Sequence, residues 1–209
     1  MNIREAYNKW AVQYDTNKNL TRDLEGVVLK SMLKDLTFAR CLEIGCGTGK
    51  NTSWLILKCN EVIAVDFSDA MLDMAKEKII SPKVKFVKAD ILQDWQFISS
   101  KVDLVLFSLV LEHIQSLGLI FLKTRETLNS GGYVYIGELH PFKQYSGSKA
   151  RFEAEEGIQV LECYTHHFSD FIEAATSAGF VLVSCNEFFD DENRDGIPRI
   201  IGLLFQKID

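Results

Sequence analysis

From about residue 39 onward, short apolar runs alternate with longer stretches in which apolar residues return every three or four positions. The short runs suit buried strands and the longer ones amphipathic helices, and their alternation is the signature of βαβ units in a parallel sheet. The pattern predicts strands over 40–44, 61–65, 84–88, 102–107, 133–137, 180–184 and 200–205. It predicts helices over 50–58, which carries Trp54, Leu55 and Leu57, and after Ser68, where Met71, Met74, Ala75 and Ile79 share a face and Ser81-Pro82 ends it. Leu117, Ile120, Phe121, Thr124 and Leu128 form a further helical stripe that stops at Asn129-Ser130-Gly131-Gly132, and residues 169–178 a last one closed by Gly179.

Residues 1–36 read as two helices separated by the polar stretch Asp15-Thr16-Asn17-Lys18-Asn19, with Tyr7, Trp10 and Tyr14 on one stripe of the first. Such an arm would cover an edge or mouth of the sheet. Residues 139–166 show no clear periodicity and are longer than a routine connection, which suggests an irregular lid or pocket wall. The acidic stretch 190–196 reads as an exposed turn. The chain of 209 residues is read as one domain: an arm (1–36), a cofactor-binding core (39–138), a substrate-side cap (139–168) and a C-terminal helix with a strand pair (169–209).

The chemistry concentrates where the first strand ends, in Gly45-Cys46-Gly47-Thr48-Gly49. Glycine lets backbone adopt positive φ or approach a ligand closely, and a helix beginning near Thr48 would turn free N–H groups to the same spot. The spacing is G-x-G-x-G, with Lys50 where a dinucleotide fingerprint carries its third glycine, and no P-loop G-K-[ST] follows. Asp66, at the tip of the second strand, is placed to accept from both hydroxyls of a ribose. Asp90, ending the third, suits an exocyclic amine or a turn, with Phe67, Met71 and Ile91 as walls for a purine.

These residues resemble the class I S-adenosylmethionine-dependent methyltransferases. The likeness rests on Glu43-x-Gly45-x-Gly47-x-Gly49, Asp66-x-Ser68-x-x-Met71-x-x-x-Ala75, Asp90, and Asp103-Leu104-Val105-x-x-x-Ser108-x-x-x-Glu112-His113. The resemblance implies an α/β, three-layer Rossmann-like fold with a seven-stranded, mostly parallel sheet of order 3-2-1-4-5-7-6, its last strand antiparallel. It implies S-adenosylmethionine as cofactor and S-adenosylhomocysteine as product. Carried over by position, the cofactor residues are Tyr14 (within Ala11-Val12-Gln13-Tyr14-Asp15), Glu43, Gly45, Cys46, Gly47, Gly49, Asp66, Phe67, Ser68, Met71, Asp90, Ile91 and Ser108. The chain departs from the family pattern after Asp90, where Gln93-Asp94-Trp95 replaces the usual leucine-proline turn. His140 and His113 are the candidate catalytic residues, and His140, Tyr145, His166 and His167 the candidate substrate contacts.

The formal charge, 23 basic against 29 acidic residues, is −6, which disfavours a nucleic-acid backbone as partner. No apolar run reaches the roughly 18 residues of a membrane span, and the N-terminus lacks the core of a signal peptide. A cytoplasmic monomer or homodimer acting on a small molecule, with neither nucleic acid nor membrane as partner, is expected. The five cysteines contain no C-x-x-C pair, and no His/Cys spacing calls for a metal. Two other classes remain open: a non-catalytic S-adenosylmethionine-binding or assembly protein, and a nicotinamide-dependent oxidoreductase.

Overall fold

The computed structural model describes residues 2–154, 157–191 and 194–209. Its strands are β1 (Arg40–Ile44), β2 (Glu61–Asp66), β3 (Val84–Lys88), β4 (Val102–Ser108), β5 (Leu128–Leu139), β6 (Arg151–Ala154), β7 (Gly157–Val160), β8 (Phe180–Phe188) and β9 (Ile200–Lys207). The helices are α1 (Ile3–Tyr14), α2 (Leu20–Leu33), α3 (Thr52–Lys58), α4 (Asp69–Lys78), α5 (Leu117–Thr127), α6 (Pro141–Tyr145) and α7 (Phe168–Ser177).

Seven strands form one sheet in the order β3-β2-β1-β4-β5-β9-β8, and β6 pairs with β7 in a separate hairpin. With the hairpin set aside, the order is the expected 3-2-1-4-5-7-6. β9, the last strand, runs antiparallel to both β5 and β8, while β1 to β5 pair in parallel.

Alternation along the central strands builds two cores, because successive side chains leave a strand on opposite faces. Leu42, Ile44, Ile63, Val65, Val105 and Phe107 pack with Ile120 and Phe121 of α5 and Phe171 of α7. Cys41, Val62, Ala64, Leu104 and Leu106 pack on the other face with Val28, Leu29 and Leu33 of α2, Leu55 of α3 and Leu72 of α4. A third cluster joins Ala6, Trp10 and Ala11 of α1 to Met71, Phe152 and Leu161, so the arm and the hairpin meet at one end of the sheet.

Three expectations are corrected. The cap is not irregular: α6 and the β6–β7 hairpin occupy it, and Phe152 of β6 stacks on Trp10 with ring centroids 5.4 Å apart. A four-residue strand whose buried partner lies on α1 leaves too short a local pattern to read. α3 begins at Thr52, not near Thr48, because Gly49 at φ +83° precedes a further turn before helical geometry sets in. The helix stripe to Leu128 ends at Thr127, and β5 begins at Leu128 with an irregular register against β4, so Asn129-Ser130-Gly131-Gly132 lies inside a strand rather than in a loop.

Candidate active site

The parallel strands β1, β2 and β4 end beside one another, and a cavity of about 630 Å³ opens at their C-terminal edges. This is the crevice where strand order reverses, the usual ligand position in open α/β sheets. Gly45, Gly47 and Gly49 all have positive φ, at +70°, +53° and +83°. Only Gly47 faces open space: a Cβ on Gly45 would lie 2.2 Å from Val110 Cγ2, and one on Gly49 2.6 Å from Ile79 Cδ1. Gly45 and Gly47 line the cavity, whereas Gly49 serves the packing of α4.

The Asp66 carboxylate spans the loop. Its Oδ2 accepts from the Gly47 N–H at 2.8 Å and its Oδ1 from the Ser68 N–H at 2.8 Å. Burial pushes its carboxyl upward in pKa, and the backbone donors pull it back. Phe67, Ser68, Met71, Asp90, Ile91 and Ser108 also line the cavity. Asp90 combines both roles open to it, facing the cavity while its Oδ1 accepts from the Leu92 N–H at 2.9 Å. The departure from the family turn is compensated here: Trp95 Nε1 donates to the Ile91 carbonyl at 2.9 Å, and Lys123 Nζ donates to the carbonyls of Ile91, Leu92 and Gln93 at 3.2, 2.9 and 2.7 Å.

The arm closes the cavity from above. Asn8 Oδ1 accepts from Ser68 Oγ at 2.6 Å, and Asp15 Oδ1 accepts from Thr48 Oγ at 2.6 Å, so α1 and the turn after it are tied to both the β2 edge and the glycine loop. Tyr7 and Tyr14 both face the cavity. Tyr7 Oη lies 2.8 Å from His113 Nε2, and His113 Nδ1 lies 3.1 Å from the Glu162 carbonyl. A carbonyl can only accept, so in the neutral imidazole the proton sits on Nδ1 and the Tyr7 hydroxyl donates to Nε2. Desolvation pushes both tyrosine phenols well above their ordinary pKa, so both are protonated at neutral pH.

Behind the loop lies a buried polar network of which Ser108 alone stands in the family motif. Glu25 of α2 accepts from Tyr135 Oη at 3.0 Å and from Asn51 Nδ2 at 3.2 Å, and Asn51 Nδ2 also reaches Ser108 Oγ at 3.1 Å. Glu138 Oε1 accepts from the N–H groups of Val110 and Leu111, each at 2.8 Å, and so shapes the turn after β4. In that turn Leu109 has φ +56°, the one non-glycine residue at positive φ among the described residues, and it too faces the cavity. Such a backbone costs of order 1–2 kcal/mol and persists where its surroundings impose it. A glutamate on a helix of the arm, as Glu25 is, or inside a strand, as Glu138 is, follows no spacing rule that a sequence displays.

Several sequence candidates stand outside the cavity. Glu43 is buried in β1 and accepts from Thr52 Oγ; Cys46 is buried beneath the loop. His140 is buried at the start of α6, where its Nδ1 accepts from the Phe142 N–H at 3.2 Å and its Nε2 meets Glu187 Oε1 at 3.1 Å. His166 Nε2 bonds the carbonyls of Leu111 at 3.1 Å and Ile114 at 2.7 Å, holding the turn after β4 from outside. Tyr145 Oη pairs with His167 Nδ1 at 2.7 Å on an exposed face. Of the four histidines, the structure brings His113 alone to the cofactor cavity.

S-adenosylmethionine fits what is present. The loop offers an open Gly47 rather than a phosphate cradle, and Lys50, the basic residue nearest in sequence, turns away to the Arg22 carbonyl. The carboxylate of Asp66 beside the loop would repel a phosphate and suits hydroxyl donors.

Residues 42–136 match the family described as "Methyltransferase domain". An uncharacterized methyltransferase of Emericella nidulans is 26% identical over 238 aligned positions, covering 96% of this chain and 83% of that protein. A malonyl-[acyl-carrier protein] O-methyltransferase of Hamiltonella defensa is 27% identical over 137 residues, covering 66% of this chain and 52% of that enzyme. Across such curated relatives the share of their length that this chain spans runs from 27% to 83%. Among solved structures, the DhpI–SAH complex has the same fold, with a TM-score of 0.77, 20% identity, and coverage of 98% of this chain and 94% of that one. Sheet order, glycine loop, the acids ending β2 and β3 and the match agree with one another, and residues 42–136 of this chain form a methyltransferase domain.

Proposed function

We propose that this chain transfers a methyl group from S-adenosylmethionine to a small organic acceptor, and that Tyr7 and His113 manage the acceptor's proton. The observation that carries this reading is the 2.8 Å contact between Tyr7 Oη and His113 Nε2 in the wall of the cavity that the glycine loop floors. When bound, the cofactor supplies a methyl carbon already activated by its sulfonium, so the protein's work is alignment, exclusion of water and proton handling. Asp66 holds the ribose, Asp90 and Ile91 the base, and Gly45, Gly47 and Ser108 the amino-acid end. A proton leaving the acceptor passes to Tyr7 Oη as the Tyr7 proton moves to His113 Nε2, beside Glu112, whose carboxyl burial pushes up in pKa while the nearby His113 charge draws it partly back. His140, buried and capping α6, is given a structural role here. Residues 1–209 act as one unit in this reading, in the cytoplasm, where free thiols such as the five cysteines persist.

The Hamiltonella relative is named for transfer to oxygen, which makes hydroxyl and carboxyl acceptors the first to test. In a labelled-methyl assay against a panel of such acceptors, the wild type is expected to methylate at least one. His113→Ala should lower turnover by about 100-fold, within the usual range for a lost acid–base group, and leave S-adenosylhomocysteine affinity intact. Tight cofactor binding with no transfer to any acceptor would favour a binding or assembly protein instead.

A further inference from the structure

A second cavity, of about 560 Å³, lies on the far side of Tyr7, Tyr14 and Leu109, the residues it shares with the cofactor cavity. Its outer wall comes from the 146–151 segment before the hairpin and from the turn entering α2. The charges around it run against the chain's overall −6: Lys18, Lys149, Arg151 and Arg199 line it, with Glu112 as the one acid. Arg199 is engaged, paired with Asp190 and donating to Thr21 Oγ1 at 3.2 Å. The side chains of Lys18, Lys149 and Arg151 have neither an ion pair nor a hydrogen bond to any described residue. Two buried polar atoms of the same wall are also without a partner among the described residues, the indole Nε1 of Trp10 and Oε2 of Glu112. Both residues are more than nine-tenths buried, at 6% exposed each, so their unmet hydrogen-bonding capacity is costly unless a ligand meets it.

We propose that this second cavity is the acceptor site and that it takes a small organic anion, whose carboxylate or phosphoryl oxygens sit among Lys18, Lys149 and Arg151. The nucleophilic end of that molecule reaches past Tyr7 and Leu109 toward the cofactor cavity. This deepens the methyltransferase reading and rests on it. Three cations without a partner among the described residues, set around one opening, concentrate an anion and orient it, because a charge-assisted bond to Lys or Arg is roughly twice as strong as a neutral one. The single acid facing them fits the same picture: burial raises the Glu112 carboxyl's pKa, which lessens its opposition to an anion.

The test uses the full chain saturated with S-adenosylhomocysteine and three probes: malonate, inorganic phosphate and the uncharged malonamide. Binding is followed by calorimetry and by the Trp10 indole N–H resonance. One of the two anions is expected to bind and shift that resonance while malonamide does not, and the stronger anion identifies carboxylate or phosphoryl as the natural group. Lys149→Gln and Arg151→Gln, at exposed positions whose side chains have no partner among the described residues, should each weaken anion binding by about tenfold at low salt with unchanged melting temperature. If S-adenosylhomocysteine binds but neither anion perturbs Trp10, or if the doubly substituted protein binds anions as the wild type does, the acceptor assignment is overturned. Failure to bind S-adenosylhomocysteine at all would instead overturn the methyltransferase reading.

Discussion

The three glycines of the loop look alike in sequence and do three different things. All read as places where backbone nears a ligand, yet Gly45 makes room for Val110 and Gly49 for α4, while Gly47 alone faces space a ligand can use. Gly45→Ala and Gly49→Ala should therefore destabilise the fold by steric conflict on top of the positive-φ cost, about 1–2 kcal/mol or more. Gly47→Ala should retain most of the melting temperature and lose cofactor affinity, an ordering that calorimetry with and without S-adenosylhomocysteine checks directly. The histidines show the same limit of legibility. His140 and His113 each follow a strand end, so sequence position could not rank them; the partners at 3.1 Å and 2.8 Å, Glu187 and Tyr7, come from residues 47 and 106 positions away. His140→Ala is expected to lower stability by about 1–2 kcal/mol through the lost cap and to leave cofactor affinity unchanged.

At the scale of elements, the strands and most helices were legible because their signals are local: apolar runs for β1, β2 and β4, and the Ser68 cap with its apolar stripe for α4. What escaped were elements defined by distant partners. The β6–β7 hairpin is fixed by the stacking of Phe152 on Trp10, and the turn after Asp90 by Trp95 and Lys123 rather than by proline. Lys123→Ala removes donors to three consecutive carbonyls on the cavity rim. It should weaken S-adenosylhomocysteine binding by about tenfold, the equivalent of one charge-assisted hydrogen bond, while the global melting temperature changes little. Hydrogen exchange is expected to quicken at residues 90–95 in that variant, and unchanged protection there would contradict the role given to Lys123.

For the whole molecule, the buried acids leave a signature in the dependence of stability on pH. Glu43 and Glu138 are both pushed up to about 8 by burial, against 4.5 when unfolded. In that interval the unfolded chain has released protons the folded chain still holds. Their contribution is therefore complete below about pH 4.5 and is lost as pH rises toward 8. The Glu43→Gln/Glu138→Gln protein should show a flatter decline of melting temperature between pH 5 and pH 8, by roughly 2–4 °C for each kcal/mol removed. Parallel profiles for the two proteins would mean that these carboxyls ionise normally. The same three-dimensional crowding sets the cofactor cavity, where Asp66 joins the loop to the β2 edge. The central claim is that this cavity binds S-adenosylmethionine through Asp66, and calorimetric titration of wild type and Asp66→Ala with S-adenosylhomocysteine tests it most directly. One molecule per chain should bind the wild type, with affinity reduced about 30-fold or more in the variant, as befits lost charged hydrogen bonds. Equal affinity in the two proteins, or stabilisation by NAD but not by S-adenosylhomocysteine, would contradict it.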